Sequence, residues 1–172
     1  MGRDKAMLPF RGEPLAQFVA GQVASAAGNA VLVGDARSYR DLGYPVIPDR
    51  YPGEGPLGGI LTSLHHSQAD WNLVVACDMP AVSADLLTRI LQAAEAVDAE
   101  ALLPVGPSGR PEPLCAVYHR NSLAAIEKAF QTGERKVTAA LAAVRTVRLA
   151  IPELAPFQNV NTPEDWAGYA TE

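Results

Sequence analysis

In Asn72-Leu73-Val74-Val75-Ala76-Cys77-Asp78-Met79-Pro80, Asn72 to Val75 reads as a short buried strand, and the run that follows it carries an aspartate. The apolar, β-branched run lacks the polar alternation of a half-exposed strand, and the proline stops it. Apolar residues recur at helical spacing on both sides, from Leu57 to Leu64 before it and from Leu86 to Val97 after it. The alternation continues outward. Strand-like runs lie at Ala30–Val33, Val46–Ile47, Leu114–Tyr118 and Val147–Ile151, and further helical spacing spans Leu15–Ala26 and Leu123–Phe130. Strands alternating with helices of this length imply βαβ units. The expectation is therefore one α/β domain over residues 1–172, three-layered and Rossmann-like. Its sheet should be mostly parallel, with helices on both faces.

Local signals agree with this reading. Ser83 precedes Ala84-Asp85-Leu86 as an N-cap, and Thr162-Pro163-Glu164-Asp165 has the proline-at-first-turn form of a helix start. The run from Pro104 to Pro113 is too rich in proline and glycine for regular structure and is expected to be an exposed connection. No repeat or linker divides the chain.

Composition excludes several classes. Hydrophobic residues make up 48% of the 172, enough to bury a core. Fourteen Lys and Arg against nineteen Asp and Glu give a net charge of −5, a poor balance for neutralising nucleic-acid phosphates. No apolar run approaches the roughly 20 residues that span a bilayer, and Met1-Gly2-Arg3-Asp4-Lys5 leads into no secretory h-region. Cys77 and Cys115 have no metal or CxxC spacing and read as reduced core thiols, which points to the cytoplasm. Neither a nucleic-acid nor a membrane partner is expected.

Four segments carry candidate chemistry. Asp78 should project from the carboxyl edge of the sheet, where α/β proteins bind ligands, and a carboxylate there suits Mg²⁺ together with phosphate oxygens. Asp49 opens the loop Pro48–Gly59, whose glycines next to a helix start allow close approach of an anionic group. Lys5 offers a point charge to polyphosphate oxygens. Asn159 and Asn161 flank Val160 ahead of the Thr162-Pro163 helix start. Each alone also has an ordinary structural reading as a turn, a cap or a solvated side chain.

In this order the segments are no longer ordinary. Met1-Gly2-Arg3-Asp4-Lys5-Ala6, Gly12–Leu15, Gly55-Pro56-Leu57-Gly58-Gly59, Cys77–Pro80, Pro113–Tyr118 and Phe157–Asp165 resemble the nucleotidyltransferase family that includes the molybdenum cofactor guanylyltransferases. The resemblance implies a nucleotide-diphospho-sugar transferase-like fold. It also implies transfer of GMP from GTP to molybdopterin or its molybdenum form, with Mg²⁺ and release of pyrophosphate. By the same resemblance Lys5 contacts nucleotide phosphates, Asp49 lies on the guanosine side, Asp78 binds the metal, and Asn159 and Asn161 lie near the second substrate. Transient contact with proteins that supply or accept the molybdenum cofactor is implied too. The rival readings are cytidylyl transfer to molybdopterin, transfer to a sugar or other small phosphate, and nucleotide binding without catalysis.

Two departures stand out. Gly34, followed by Asp35, occupies a position where the family often has asparagine. The family also begins with a strand and a glycine-rich loop ending in Arg-Met-Gly, and this sequence starts at the Met-Gly. The domain is thus expected to lack that first strand and loop upstream of residue 1. A strand-wide groove should then lie beside the strands ending at Val33 and Cys77, with Lys5 poorly held. His65-His66, Trp71 and Trp166 read as surface, capping or packing residues, and Glu134-Arg135-Lys136 as a solvated helix start.

Overall fold

The structure, a computed structural model, describes residues 4–153 and 155–158. A hairpin of β1 (Pro9–Phe10) and β2 (Glu13–Pro14) leads into α1 (Leu15–Ala27). Then come β3 (Leu32–Val33), α2 (Ala36–Tyr39), β4 (Val46–Ile47), α3 (Pro56–His66), β5 (Trp71–Val75) and α4 (Ala84–Glu95). The chain closes with β6 (Ala101–Val105), β7 (Cys115–His119), α5 (Leu123–Gln131), α6 (Val137–Ala140) and β8 (Thr146–Ala150).

The helices form where the sequence has apolar periodicity and caps. In α3, Leu57, Ile60, Leu61 and Leu64 recur at the spacing of one helix face, and all four are buried. The Ser83 hydroxyl accepts from the Leu86 N–H at 3.3 Å, so α4 has the expected N-cap. Gly28 ends α1 with φ of 81°, a left-handed conformation that glycine takes without Cβ strain.

The strands divide the core into two layers. Leu73, Val75, Leu102, Cys115 and Val117 pack with α1 and α4, whereas Val74, Ala101, Leu103, Ala116 and Tyr118 pack with α3, α5 and α6. This is the period-two alternation of pleated strands whose two faces are both covered. The expected three-layer α/β arrangement is present.

Strand direction is more mixed than the periodicity suggests. One sheet has the order β5-β7-β6-β8, in which β6 and β8 are parallel and β7 runs antiparallel to both its neighbours. The strands β3 and β4 form a separate parallel pair. The sequence reading omits β6, whose last two residues, Pro104 and Val105, begin the proline-rich run assigned to a loop. Proline is tolerated there because its carbonyl still accepts, here from the Glu112 N–H at 2.8 Å.

Between β3 and β5 there is no ladder among the described residues. An elongated cavity separates the two strands, walled by α1 on one side and α3 on the other. The expected groove is therefore present beside Val33 and Cys77.

Candidate active site

The carboxyl ends of β3 and β5 open into a cavity of about 560 Å³. Lys5, Cys77, Asp78, Pro56 and Gly59 line this end of it. Lys5 and Asp78, distant in sequence, are thus brought to one cavity at the carboxyl end of the half-buried β5.

Lys5 stands in a 3₁₀ turn, Lys5–Met7, and its backbone is well held, contrary to expectation. Asp4 caps the turn by accepting from the Ala6 N–H at 3.0 Å, and the Leu8 N–H donates to the Lys5 carbonyl at 3.1 Å. The other Asp4 oxygen accepts from the Tyr39 hydroxyl at 2.6 Å, pinning the turn to the segment after β3. Burial and the neighbouring Asp4 carboxylate push the Tyr39 phenol well above its ordinary range, so Tyr39 remains a donor. Its ring also explains Gly34. A Cβ built on residue 34 would lie 2.6 Å from Tyr39 Cε2, so a side chain there would have to displace the ring.

Asp78 stands in the turn three residues beyond Val75, the last residue of β5, and the fully buried Met79 anchors that turn. Its Oδ1 is buried without a hydrogen-bond partner. An ionised carboxylate oxygen left bare in this way is costly unless a cation or donor completes it. Among the described residues no three His, Cys, Asp or Glu side chains gather as a metal cage. Mg²⁺ needs no such cage, because one or two carboxylates, phosphate oxygens and water suffice. The donor set therefore fits magnesium. Cys77 beside it is no nucleophile: burial first, then Asp78 and Asp4, raise its thiol to about 11. Cys115 is buried, and burial raises its thiol likewise.

Asp49 does not line this cavity. Its Oδ1 accepts from the Tyr51 N–H at 2.9 Å and from the Thr62 hydroxyl at 3.0 Å. Thr62 in turn accepts from the Arg50 N–H at 3.1 Å, so the carboxylate is built into the loop and tied to α3. The loop then turns through Gly53 and Gly55, at φ of 82° and 76°, to the α3 N-terminus. Gly58 lets it lie close, since a Cβ there would meet Tyr51 Cβ at 2.9 Å and the Tyr51 carbonyl at 3.1 Å. At Gly59 a Cβ would meet nothing within 4 Å, which leaves the helix surface toward the cavity open.

Several supports escape a linear reading. Arg135 pairs with Glu54 on the glycine loop, donates to the Phe130 carbonyl at 2.8 Å, and lies 4.0 Å over the Phe130 ring. From the exposed start of α6, whose N-cap is Lys136, it also braces the glycine loop against the end of α5. His65 pairs with Glu127 at 2.9 Å and joins α3 to α5. Trp71 packs edge-on against His119, as expected of a packing residue. Asn159, Asn161 and Trp166 lie outside the described residues.

Comparison with known proteins agrees with this arrangement. Residues 1–147 match the MobA-like NTP transferase domain. The chain is 32% identical over 172 residues to a molybdenum cofactor guanylyltransferase of Cupriavidus metallidurans, an alignment covering 95% of this chain and 84% of that protein. It is 34% identical to one from Shewanella sp. strain ANA-3, over 99% of this chain and 88% of the relative. Among solved structures, molybdopterin-guanine dinucleotide biosynthesis protein A from Archaeoglobus fulgidus superposes with a TM-score of 0.82 at 27% identity, covering 98% of this chain and 89% of that one. A cytidylyltransferase from Thermus thermophilus shares the fold, at a TM-score of 0.74 and 18% identity, over 97% and 92% of the two chains.

Proposed function

The chain belongs to the MobA-like NTP transferase family, and on that footing we propose that it transfers GMP from GTP to molybdopterin or its molybdenum form. The observation that carries the site is the meeting of Lys5 with the bare Asp78 oxygen at one cavity mouth, beside the glycine-flanked start of α3. The names of the relatives favour guanylyl over cytidylyl transfer.

A phosphate oxygen of the pterin attacks the α-phosphorus of GTP. The bond from that phosphorus to the bridging oxygen of the β-phosphate breaks, and its electron pair leaves with pyrophosphate. The attacking oxygen is already anionic, so no strong general base is required. Positioning and charge stabilisation carry the catalysis. Lys5 places an ammonium group on the nucleotide phosphates. Asp78 would hold Mg²⁺, which supplies positive charge to phosphate oxygens when bound. Asp49 acts from the guanosine side by fixing the Pro48–Gly59 loop. Asn159 and Asn161 serve the acceptor.

No helix among the described residues is long and apolar enough to cross a membrane. Thiols held protonated suit a cytoplasmic enzyme that meets its cofactor-supplying and cofactor-accepting proteins transiently.

The test is pyrophosphate release with molybdopterin as acceptor and each of the four nucleoside triphosphates in turn. GTP should support turnover and yield the guanine dinucleotide. Preferential use of CTP overturns the guanylyl assignment, and GTP binding without pyrophosphate release overturns catalysis.

A further inference from the structure

The loop from Asp49 to α3 is fastened at its start and exposed at its tip. Thr62 holds Asp49, whereas Pro52, Gly53, Glu54 and Gly55 all face solvent. Gly53 and Gly55, both at positive φ, leave the tip wide conformational freedom. Among the described residues, the only side-chain hydrogen bond or ion pair from the tip to the rest of the fold is that of Glu54 with Arg135.

Arg135 is itself held from several sides. Its Nη1 donates to the Phe130 and Glu134 carbonyls at 2.8 Å each, and its guanidinium carbon lies 4.0 Å from the centroid of the Phe130 ring. Glu134 Oε1 accepts from the Arg135 and Lys136 N–H groups at 2.8 and 2.7 Å, which fixes the backbone of this turn. The buried Phe130 ring packs in turn against Tyr51, with 4.8 Å between centroids. These contacts close a circuit: Tyr51 at the base of the loop, Phe130 on α5, Arg135, and Glu54 back at the tip. A guanidinium suits this place, because stacking and forked donation use its flat face and its edge at once.

An exposed ion pair of this kind adds little to global stability, since solvent screens it. What it changes is the share of molecules whose loop already stands in one conformation. A ligand that needs the ordered loop binds more weakly in proportion as that share falls. We propose that Arg135 is a positioning residue for the nucleotide base. Acting through Glu54, it orders the glycine loop before the nucleotide arrives, and so sets affinity and base selectivity for the nucleoside triphosphate without touching it. This role rests on the guanylyl-transfer reading, in which the loop faces the guanosine. Lys5 and Asp78, which serve the phosphates, are not members of the circuit, so the brace governs nucleotide binding more than the chemical step.

The test combines calorimetry of GTP binding with Mg²⁺ and steady-state kinetics with molybdopterin, on the full chain and its variants. In Arg135→Ala, Kd and KM for GTP should rise about tenfold, as when about a tenth of the loops stand ordered. The same variant should lose less than about threefold in kcat and keep its KM for molybdopterin and its melting temperature. Its discrimination between GTP and the other triphosphates should narrow. Glu54→Gln still accepts from the guanidinium and should lose less affinity than Glu54→Ala. Arg135→Ala and Glu54→Ala together should weaken GTP binding no more than the larger single loss. Unchanged GTP affinity in Arg135→Ala overturns the proposal. So do additive losses in the double variant, a KM that rises for molybdopterin instead, or a loss of affinity that only accompanies loss of the fold. A parent chain that binds GTP and releases no pyrophosphate overturns the guanylyl-transfer reading instead, and the calorimetric shift in Arg135→Ala then still decides the brace. A parent chain that binds no GTP overturns both.

Discussion

Asp78 was legible as a site residue because its meaning is local. An aspartate in the turn just beyond an apolar strand, with a proline two residues on, has few other places to point. Its environment was not legible, and that environment carries the prediction. Asp78→Asn removes the charge while keeping the shape, so turnover should fall by about two to three orders of magnitude while the melting temperature changes little. Steady-state assays at saturating Mg²⁺, with a melt of the same samples, check both halves; near-normal activity would remove Asp78 from catalysis. Tyr39 was not singled out in the sequence, because its partner Asp4 is 35 residues away. Tyr39→Phe keeps the ring against Gly34 and deletes one hydrogen bond, a change worth about 1 kcal/mol. With Lys5 less firmly placed, KM for GTP should rise several-fold with a smaller change in kcat, and an unchanged KM would argue against a positioning role.

At the scale of elements, the loop from Asp49 to the start of α3 is organised from two sides, by α3 and by the segment that follows α5. Thr62 holds it from α3, Arg135 from the segment after α5, and Gly58 lets Tyr51 settle on the helix. The sequence identified the glycines as permissive without showing which of them matters for packing. Gly58 does, since a larger residue there presses on the loop backbone itself. Gly58→Val should cost about 1–3 kcal/mol by overpacking and lower activity as the loop shifts. Gly59→Ala, facing open space, should be near neutral for stability. Urea unfolding of the two variants side by side tests the contrast, and equal losses would contradict it. The exposed Arg135–Glu54 pair is expected to contribute little to stability because solvent screens it. Its effect should appear in the mobility of the loop.

At the scale of the whole molecule, thiols drawn out of water, Cys77 in part and Cys115 fully, set an alkaline limit. Desolvation first, then the Asp78 and Asp4 carboxylates, push the Cys77 thiol in the folded protein up to about 11 from an ordinary 9.0. The unfolded chain therefore releases its proton first as pH rises, and folding stability falls between about pH 9 and 11. Below pH 9 both states keep the proton and the group adds no slope. Two pH units correspond to about 2–3 kcal/mol for this residue, so urea midpoints should drop over that window, and less steeply in Cys77→Ala. A flat profile in the parent protein would contradict the burial of Cys77. By itself the sequence determined the α/β class, the positions of α1, α3, α4 and α5, and the strand-to-aspartate turn at Asp78. It did so because apolar periodicity, caps and proline stops are properties of neighbouring residues. Tertiary structure alone decided the antiparallel course of β7, the capture of Asp49 by Thr62, the pinning of Asp4 by Tyr39 and the brace from Arg135 to Glu54. It also turned the slot between β3 and β5 from an expectation into a cavity with defined walls. These depend on which edges and side chains meet after the chain has folded back on itself. Arg135 and Glu54 are 81 residues apart, and no periodicity within one element records such a meeting.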